Sequence, residues 1–146
     1  MASRILFVDD ESDIRNSLLR RYTLKGYDVA TAENGEAALL LLEQEPFQVV
    51  VSDIKMPVLD GIELLHRIRD EYPMTRVIMM TGYVTLENGL SCLRHGADTC
   101  IFKPLNDLKE MDQAIETAIA YLDHWEKKLL TLTGMGGSKG VNNDKS

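Results

Sequence analysis

Five short apolar runs, each followed by a stretch with helical periodicity, decide what this chain can fold into. The runs begin at Ile5, Tyr27, Val49, Val77 and Cys100. Continuous apolar runs are typical of strands buried on both faces, and serial strand–helix units predict a parallel sheet covered by helices on both sides. The run at 27–32 is the most polar of the five, so we expect it at an edge of the sheet.

Polar residues follow the ends of four of these runs. They are Asp9, Asp10, Asp53, Thr81 and Lys103. The functional crevice of a parallel α/β sheet lies at the carboxyl ends of its strands. We therefore expect these side chains to lie close together at one edge of the sheet.

Three carboxylates at one edge repel each other, and each close pair costs about 4 kcal/mol at a separation of ~4 Å and an effective dielectric near 20. A divalent cation would relieve this cost, and oxygen-only ligands favour Mg²⁺. Aspartate can accept a phosphoryl group as an acyl phosphate. Thr81 offers a hydroxyl and Lys103 a positive charge to bind phosphoryl oxygens.

Several strings occur in an order that resembles one known family. They are Phe7–Glu11, Asp53–Gly61, Thr81-Gly82, Gly96–Asp98 and Lys103-Pro104. Together they make residues 4–124 similar to the receiver domain of two-component response regulators. The resemblance implies a flavodoxin-like (βα)5 fold, with five parallel strands and helices on both faces, here followed by an extended C-terminal helix.

The same resemblance implies a role for each site residue. Asp53 is expected to be the phosphoryl acceptor, with Thr81 and Lys103 binding the phosphoryl group. Mg²⁺ is expected to be bound by Asp10, Asp53 and the backbone carbonyl of Lys55, and by Asp9 through water. Pro104 is expected to follow Lys103 through a cis peptide bond.

The function implied is a phosphorylation-activated signalling switch rather than an enzyme with turnover. The expected partners are a sensor histidine kinase or a phosphotransfer protein, and a downstream target that the sequence does not identify. The alternative is a Mg²⁺-dependent phosphohydrolase with Asp53 as nucleophile. Phosphohydrolases of the haloacid dehalogenase type place a second acid two residues after the nucleophile, where this chain has Lys55.

Charge and composition exclude other classes. The net charge is −7, so the basic surface needed for non-specific nucleic-acid binding is not expected. The longest apolar run, 37–42, is too short to span a membrane, and acidic residues follow the first apolar run too closely for a signal peptide. Two cysteines are too few for a disulfide scaffold, which favours the cytoplasm.

The chain departs from the family at one position near the site. Cys100 replaces the tyrosine or phenylalanine usual three residues before the lysine, and a thiol cannot make the rotamer exchange of a large ring. We therefore expect switching to depend on Thr81 and not on residue 100. Lys55 and Tyr83, two residues beyond Asp53 and Thr81, are positioned to overhang the acyl phosphate.

The last helix is expected to begin near Asn106. It is longer than the family requires, and its apolar residues follow a heptad. They are Leu108, Met111, Ile115, Ala118, Leu122, Trp125, Leu129 and Leu132. We expect residues 1–124 to form the receiver domain, 125–133 to extend the last helix, and 134–146 to be a disordered tail or linker. The apolar residues past the domain edge predict a homodimer through Leu122, Trp125, Leu129 and Leu132.

Overall fold

The computed structural model describes residues 2–82 and 85–135 and contains the predicted alternation of strands and helices. In chain order its elements are β1 (Arg4–Val8), α1 (Ser12–Leu24), β2 (Asp28–Ala32), α2 (Gly35–Gln44), β3 (Val49–Asp53), α3 (Gly61–Glu71), β4 (Arg76–Thr81), α4 (Leu86–Arg94), β5 (Thr99–Phe102) and α5 (Lys109–Met135). The predicted fold class is confirmed.

The five strands form one parallel sheet in the order β2-β1-β3-β4-β5. The polar strand β2 lies at an edge, as expected. The strand order reverses between β1 and β3, where Ile5 pairs with Val49 and Val8 with Ser52. Ligand-binding crevices of such sheets lie at this reversal. The ends of β1 and β3 are therefore the part of the fold most suited to a functional site.

The sheet separates two apolar clusters. Alternate residues of each central strand point to opposite faces, so Val50 packs with α2, α3 and α4, while Val51 packs with α1 and α5. Both of these valines are fully buried. Burial on both faces explains why the central strands are continuous apolar runs without polar alternation.

Side-chain caps set the starts of three helices. The carboxylate of Asp60 accepts a hydrogen bond from the Glu63 amide at the start of α3, and Asn34 and Thr85 cap α2 and α4 in the same way. The prediction that the last helix begins near Asn106 is wrong by three residues. The Asp107 carboxylate accepts from the Lys109 amide, and this local bond takes the place of an earlier helical turn.

The loop between β3 and α3 contains one strained residue. Val58 has a φ of 73°, in the left-handed region that β-branched residues rarely adopt. Its side chain is 75% exposed, so little packing compensates for this conformation. The loop is nevertheless fixed at its end, because a Cβ on Gly61 would clash with the backbone carbonyl of Asp53.

Replacing Val58 with asparagine is expected to raise the free energy of unfolding by about 1 kcal/mol, since asparagine tolerates the left-handed conformation. Urea unfolding measures the change. Val58→Ile is the matched control, because it keeps the β-branch and should not stabilise the protein. Equal stability of all three proteins would show that this backbone conformation costs nothing.

The long helix α5 changes its surroundings along its length. Met111, Ile115 and Ala118 are buried against the sheet, whereas Trp125 is 37%, Leu129 51% and Leu132 61% exposed. The helix continues through Gly134 and Met135, the first two residues of the predicted tail, because glycine late in a helix costs only about 1 kcal/mol. The rest of that tail, 136–146, lies outside the described residues.

The length and the apolar character of the helices can be compared with those of a membrane span. Within residues 2–82 and 85–135, none of them combines the length and the apolar character needed to cross a bilayer. Even α5, with 27 residues, carries charged side chains along its length.

Candidate functional site

The structure brings the predicted site residues together at the reversal of strand order. Carboxylate oxygens of Asp9, Asp10, Glu11 and Asp53 all lie within 4.8 Å of one another. Asp9 follows β1 directly and Asp53 ends β3, so the parallel strands deliver both carboxyl groups to the same edge. Asp9 and Asp53 are buried, while Asp10 and Glu11 are exposed.

Lys103 connects these carboxylates. Its Nζ atom lies 2.8 Å from Asp9 Oδ2, 2.9 Å from Asp53 Oδ2 and 3.3 Å from Glu11 Oε2. Burial alone would lower the pKa of Lys103, but hydrogen bonds to Asp9 and Asp53 outweigh it and hold the pKa above its usual value. The ammonium is therefore charged at any ordinary pH. A cis peptide bond links it to Pro104, as expected.

The surroundings of Asp9 disfavour its charged form. Burial raises its pKa above the usual value, although hydrogen bonds from Lys103 and the Glu11 amide oppose this effect. A raised pKa means that folding penalises the charged form, and this penalty is greatest above the pKa. Positive charge added beside Asp9 would relieve it.

Backbone pairing and side-chain contacts together fix the position of Asp53. The next residue, Ile54, donates its amide to the Met80 carbonyl and extends the pairing of β3 with β4. The Lys55 amide lies 3.3 Å from Asp53 Oδ1, so this carboxylate has one oxygen near Lys55 and the other on Lys103. The role of the Lys55 carbonyl stays a prediction.

Thr81 ends β4 beside Asp53, since the preceding residue, Met80, pairs with Asp53 in the sheet. It is fully buried, and its strand partner in β5 is Phe102. Tyr83, which we expected to overhang the site, lies outside the described residues.

The position of the missing aromatic is filled by a pair of thiols. Cys100 contacts the buried Cys92 of α4, and both are free cysteines. Burial, together with the Cys92 thiol, raises the pKa of Cys100 to about 12, so it is a neutral thiol at neutral pH. A small apolar group thus stands where a large ring would turn.

The donor set fits a hard divalent cation. Oxygen-only ligands are what Mg²⁺ prefers, and the cluster groups four carboxylates, three of which contact the ammonium of Lys103. The pKa of Asp9 is raised mainly by burial, and the neighbouring Asp53 carboxylate raises it further. The residues therefore fit Mg²⁺ on charge and ligand type.

Sequence reasoning missed two residues at the site. Glu11 forms an ion pair with Lys103, and Arg15 Nη1 donates a hydrogen bond to the Asp9 carbonyl at 2.8 Å. The position of Glu11 directly after two aspartates was a usable signal. Arg15 looks like any charged residue on a helix, so nothing in the sequence marks it.

Comparison with known proteins identifies the family. Residues 5–116 match the family model described as response regulator receiver domain. The chain is 38% identical over 117 residues to the regulatory protein AtoC of Escherichia coli, covering 80% of this chain and 25% of AtoC. It is 37% identical to the probable transcriptional regulator ycf27 of Pyropia yezoensis, covering 92% of this chain and 53% of that protein. The chain thus spans between about a quarter and a half of these curated relatives.

Solved structures agree with this match. A CheY-like receiver domain protein from Methanospirillum hungatei is 36% identical, with a TM-score of 0.75, covering 88% of this chain and 99% of that one. The response regulator TrrA from Thermotoga maritima, solved in complex with Mg²⁺-BeF, is 34% identical with a TM-score of 0.72, covering 80% and 98%. On its fold, its sequence and the order of its motifs, the chain belongs to the response regulator receiver domain family.

Proposed function

We propose that this chain is a phosphorylation-activated switch that accepts a phosphoryl group on Asp53. The observation that carries the proposal is the position of the Asp53 carboxylate, 2.9 Å from the Lys103 ammonium and among three other carboxylates. This arrangement supplies a nucleophile, a permanent positive charge and the oxygen ligands for a cation in one place.

In the reaction, a carboxylate oxygen of Asp53 attacks the phosphorus of the donor. A new O–P bond forms as the bond to the donor's leaving group breaks, and the product is an acyl phosphate. Lys103 can stabilise the negative charge of the phosphoryl group. Its ammonium already contacts Asp53 and can donate to a phosphoryl oxygen instead. Thr81, at the end of the neighbouring strand, is proposed to bind the phosphoryl group through its hydroxyl.

Mg²⁺ completes the proposed site. When bound, it neutralises charge on the phosphoryl oxygens and on the surrounding carboxylates. Asp10, Asp53 and the Lys55 carbonyl are proposed as its ligands, with Asp9 acting through water. Support comes from the acidic cluster itself and from the Mg²⁺-BeF complex of the related TrrA.

Intact-mass measurement after incubation with acetyl phosphate and Mg²⁺ tests the proposal, and a gain of about 80 Da is expected. The same mixture separates the switch from the alternative phosphohydrolase. A switch retains the added mass and releases acetate at most slowly, whereas a hydrolase turns over many equivalents. The family match favours the switch, because receiver domains are regulatory.

The proposed phosphoryl donor is a sensor histidine kinase or a phosphotransfer protein, and the cytoplasm is the proposed location. A groove of about 290 Å³ beside Lys103 offers such a partner an apolar contact, with Ile14, Leu18 and Leu105 in its lining. Residues 1–124 are proposed as the receiver domain and 125–133 as the helix that connects it to a downstream partner.

Switching is expected to depend on Thr81 and not on Cys100. Thr81→Ala should abolish most of the phosphorylation-dependent change in amide hydrogen exchange of α4, because it removes the hydroxyl that is proposed to bind the phosphoryl group. Cys100→Ala should leave that change largely intact, since a small thiol has no ring to move. Thr81→Ser, which restores a hydroxyl, should recover the response, and equal losses in the Thr81→Ala and Cys100→Ala proteins would contradict this.

We further propose a homodimer through the end of α5. Trp125, Leu129 and Leu132 are exposed there, and they leave roughly 300 Å² of surface uncovered on each protomer. That area is less than half of the ~800 Å² per partner in a standard interface, so neighbouring side chains of α5 would have to complete it. A second copy is the favoured occupant because it presents the same apolar surface. Leu122 is half-buried, unlike the other seam residues, and together with Leu129 it lines a groove beside Phe47.

Replacing Leu129 and Leu132 with lysine is expected to convert the dimer to a monomer, because two charges would be buried in the seam. Light scattering at ~100 μM measures the mass. Leu24→Lys, at an exposed leucine at the end of α1, is the matched control and should remain dimeric. A monomeric unmodified chain at this concentration would contradict the proposal and leave α5 as a connector.

A further inference from the structure

The ammonium of Lys103 has three N–H donors, and the structure provides one carboxylate for each of them. Asp9 and Asp53 accept at 2.8 and 2.9 Å, and Glu11 completes the set at 3.3 Å. The side chain of Lys103 is only 12% exposed, so these carboxylates replace almost all of its hydration. Lys103 cannot leave one of them without a substitute.

The three carboxylates do not have the same surroundings. Asp9 and Asp53 are buried, whereas the Glu11 side chain is 61% exposed. Glu11 is nevertheless held in place through its backbone, because its amide donates to Asp9 Oδ1 at 2.9 Å. Its side chain is thus anchored next to Lys103 without being part of the apolar core.

This difference matters when charge at the site changes. A cation held by Asp10 and Asp53, with Asp9 through water, would compete with Lys103 for the oxygens of Asp9 and Asp53, and phosphorylation converts one Asp53 oxygen to the bridging oxygen of an acyl phosphate. Glu11 lies in the same carboxylate cluster but is not among the proposed metal ligands, so it can keep its contact with Lys103 in both cases. We propose that Glu11 is a positioning residue, which holds the Lys103 ammonium while Asp9 and Asp53 turn to the metal. This inference rests on the function proposed above.

The proposal predicts that Glu11→Gln weakens Mg²⁺ binding about fivefold, the upper range of an exposed ion pair. Asp13→Asn is the matched control, because it removes the same charge two residues away. Asp13 is exposed and has no ion pair with Lys103 in the described part of the chain. It should weaken Mg²⁺ less than twofold.

Two further variants separate contact from charge. Glu11→Asp keeps the charge but shortens the side chain, so it should behave like Glu11→Gln if the contact with Lys103 matters. In a Lys103→Met background there is no ammonium to hold, and Glu11→Gln should then change Mg²⁺ affinity less than twofold. Calorimetric titration of Mg²⁺ measures each affinity, and thermal melting without Mg²⁺ checks that every variant is folded.

The outcomes distinguish the possibilities. A fivefold loss that disappears in the Lys103→Met background supports the positioning role. An equal loss in both backgrounds overturns it, because Glu11 would then act on the cation directly. A loss no larger than that of Asp13→Asn also overturns it and leaves the proposed function intact. An unmodified chain that binds no Mg²⁺ at tens of millimolar overturns both the metal site and this inference.

Discussion

Asp53→Asn is expected to abolish phosphoryl incorporation from acetyl phosphate, so that the gain of about 80 Da disappears. The amide is isosteric with the carboxylate but is not a nucleophile at neutral pH, and it cannot form an acyl phosphate. The neighbouring geometry should survive, because Asp53 is held by the sheet and by the close approach of Gly61. Intact-mass measurement over several hours compares the two proteins.

Asp60→Asn is the matched control for this experiment. Asp60 lies in the loop that follows β3 and caps α3 through its side chain, and asparagine caps a helix equally well. The control protein should incorporate one phosphoryl group as the unmodified chain does. Labelling of the Asp53→Asn protein at the unmodified rate would place the acceptor elsewhere and refute the assignment.

Asp10→Asn is expected to weaken Mg²⁺ binding on the order of tenfold or more and to slow phosphorylation in proportion at limiting Mg²⁺. A site with few protein ligands has no replacement for a lost carboxylate, and a tenfold loss of affinity corresponds to about 1.4 kcal/mol. The side chain of Asp10 is exposed, so its loss should not disturb the core. The rate of mass gain as a function of Mg²⁺ concentration measures the effect.

Saturating Mg²⁺ provides the internal control, because it should restore much of the rate in the Asp10→Asn protein. Asp13→Asn, which removes an exposed carboxylate of α1, should leave the Mg²⁺ dependence nearly unchanged. Identical Mg²⁺ curves for the Asp10→Asn and unmodified proteins would remove Asp10 from the ligand set.

The sheet and its site could be predicted from the sequence because both follow from local signals. Continuous apolar runs mark buried strands, and the polar residue after each run lies at a strand end. This rule was enough to place Asp53 and Lys103 together, although they are 50 residues apart. The start of α5 was predicted three residues too early, because it depends on a single hydrogen bond from the Lys109 amide to the Asp107 carboxylate.

Side-chain contacts between residues far apart in the chain could not be predicted. Asp112 accepts hydrogen bonds from Arg21 and from the buried Tyr22 hydroxyl, and this pair of contacts ties α5 to α1. No spacing rule links these residues. The ion pair of Glu11 with Lys103 could not be predicted for the same reason. The left-handed backbone of Val58 could not be predicted either, because β-branched residues rarely adopt a positive φ.

The register of β1 with β3 has a consequence for how the chain folds. Ile5 pairs with Val49, so the central pairing encloses α1, β2 and α2 within one loop of chain. The entropy lost in closing that loop comes before the sheet gains its central contacts. We therefore expect the refolding rate to depend on the first third of the chain, and we expect a folding nucleus that includes β1, α1 and β3.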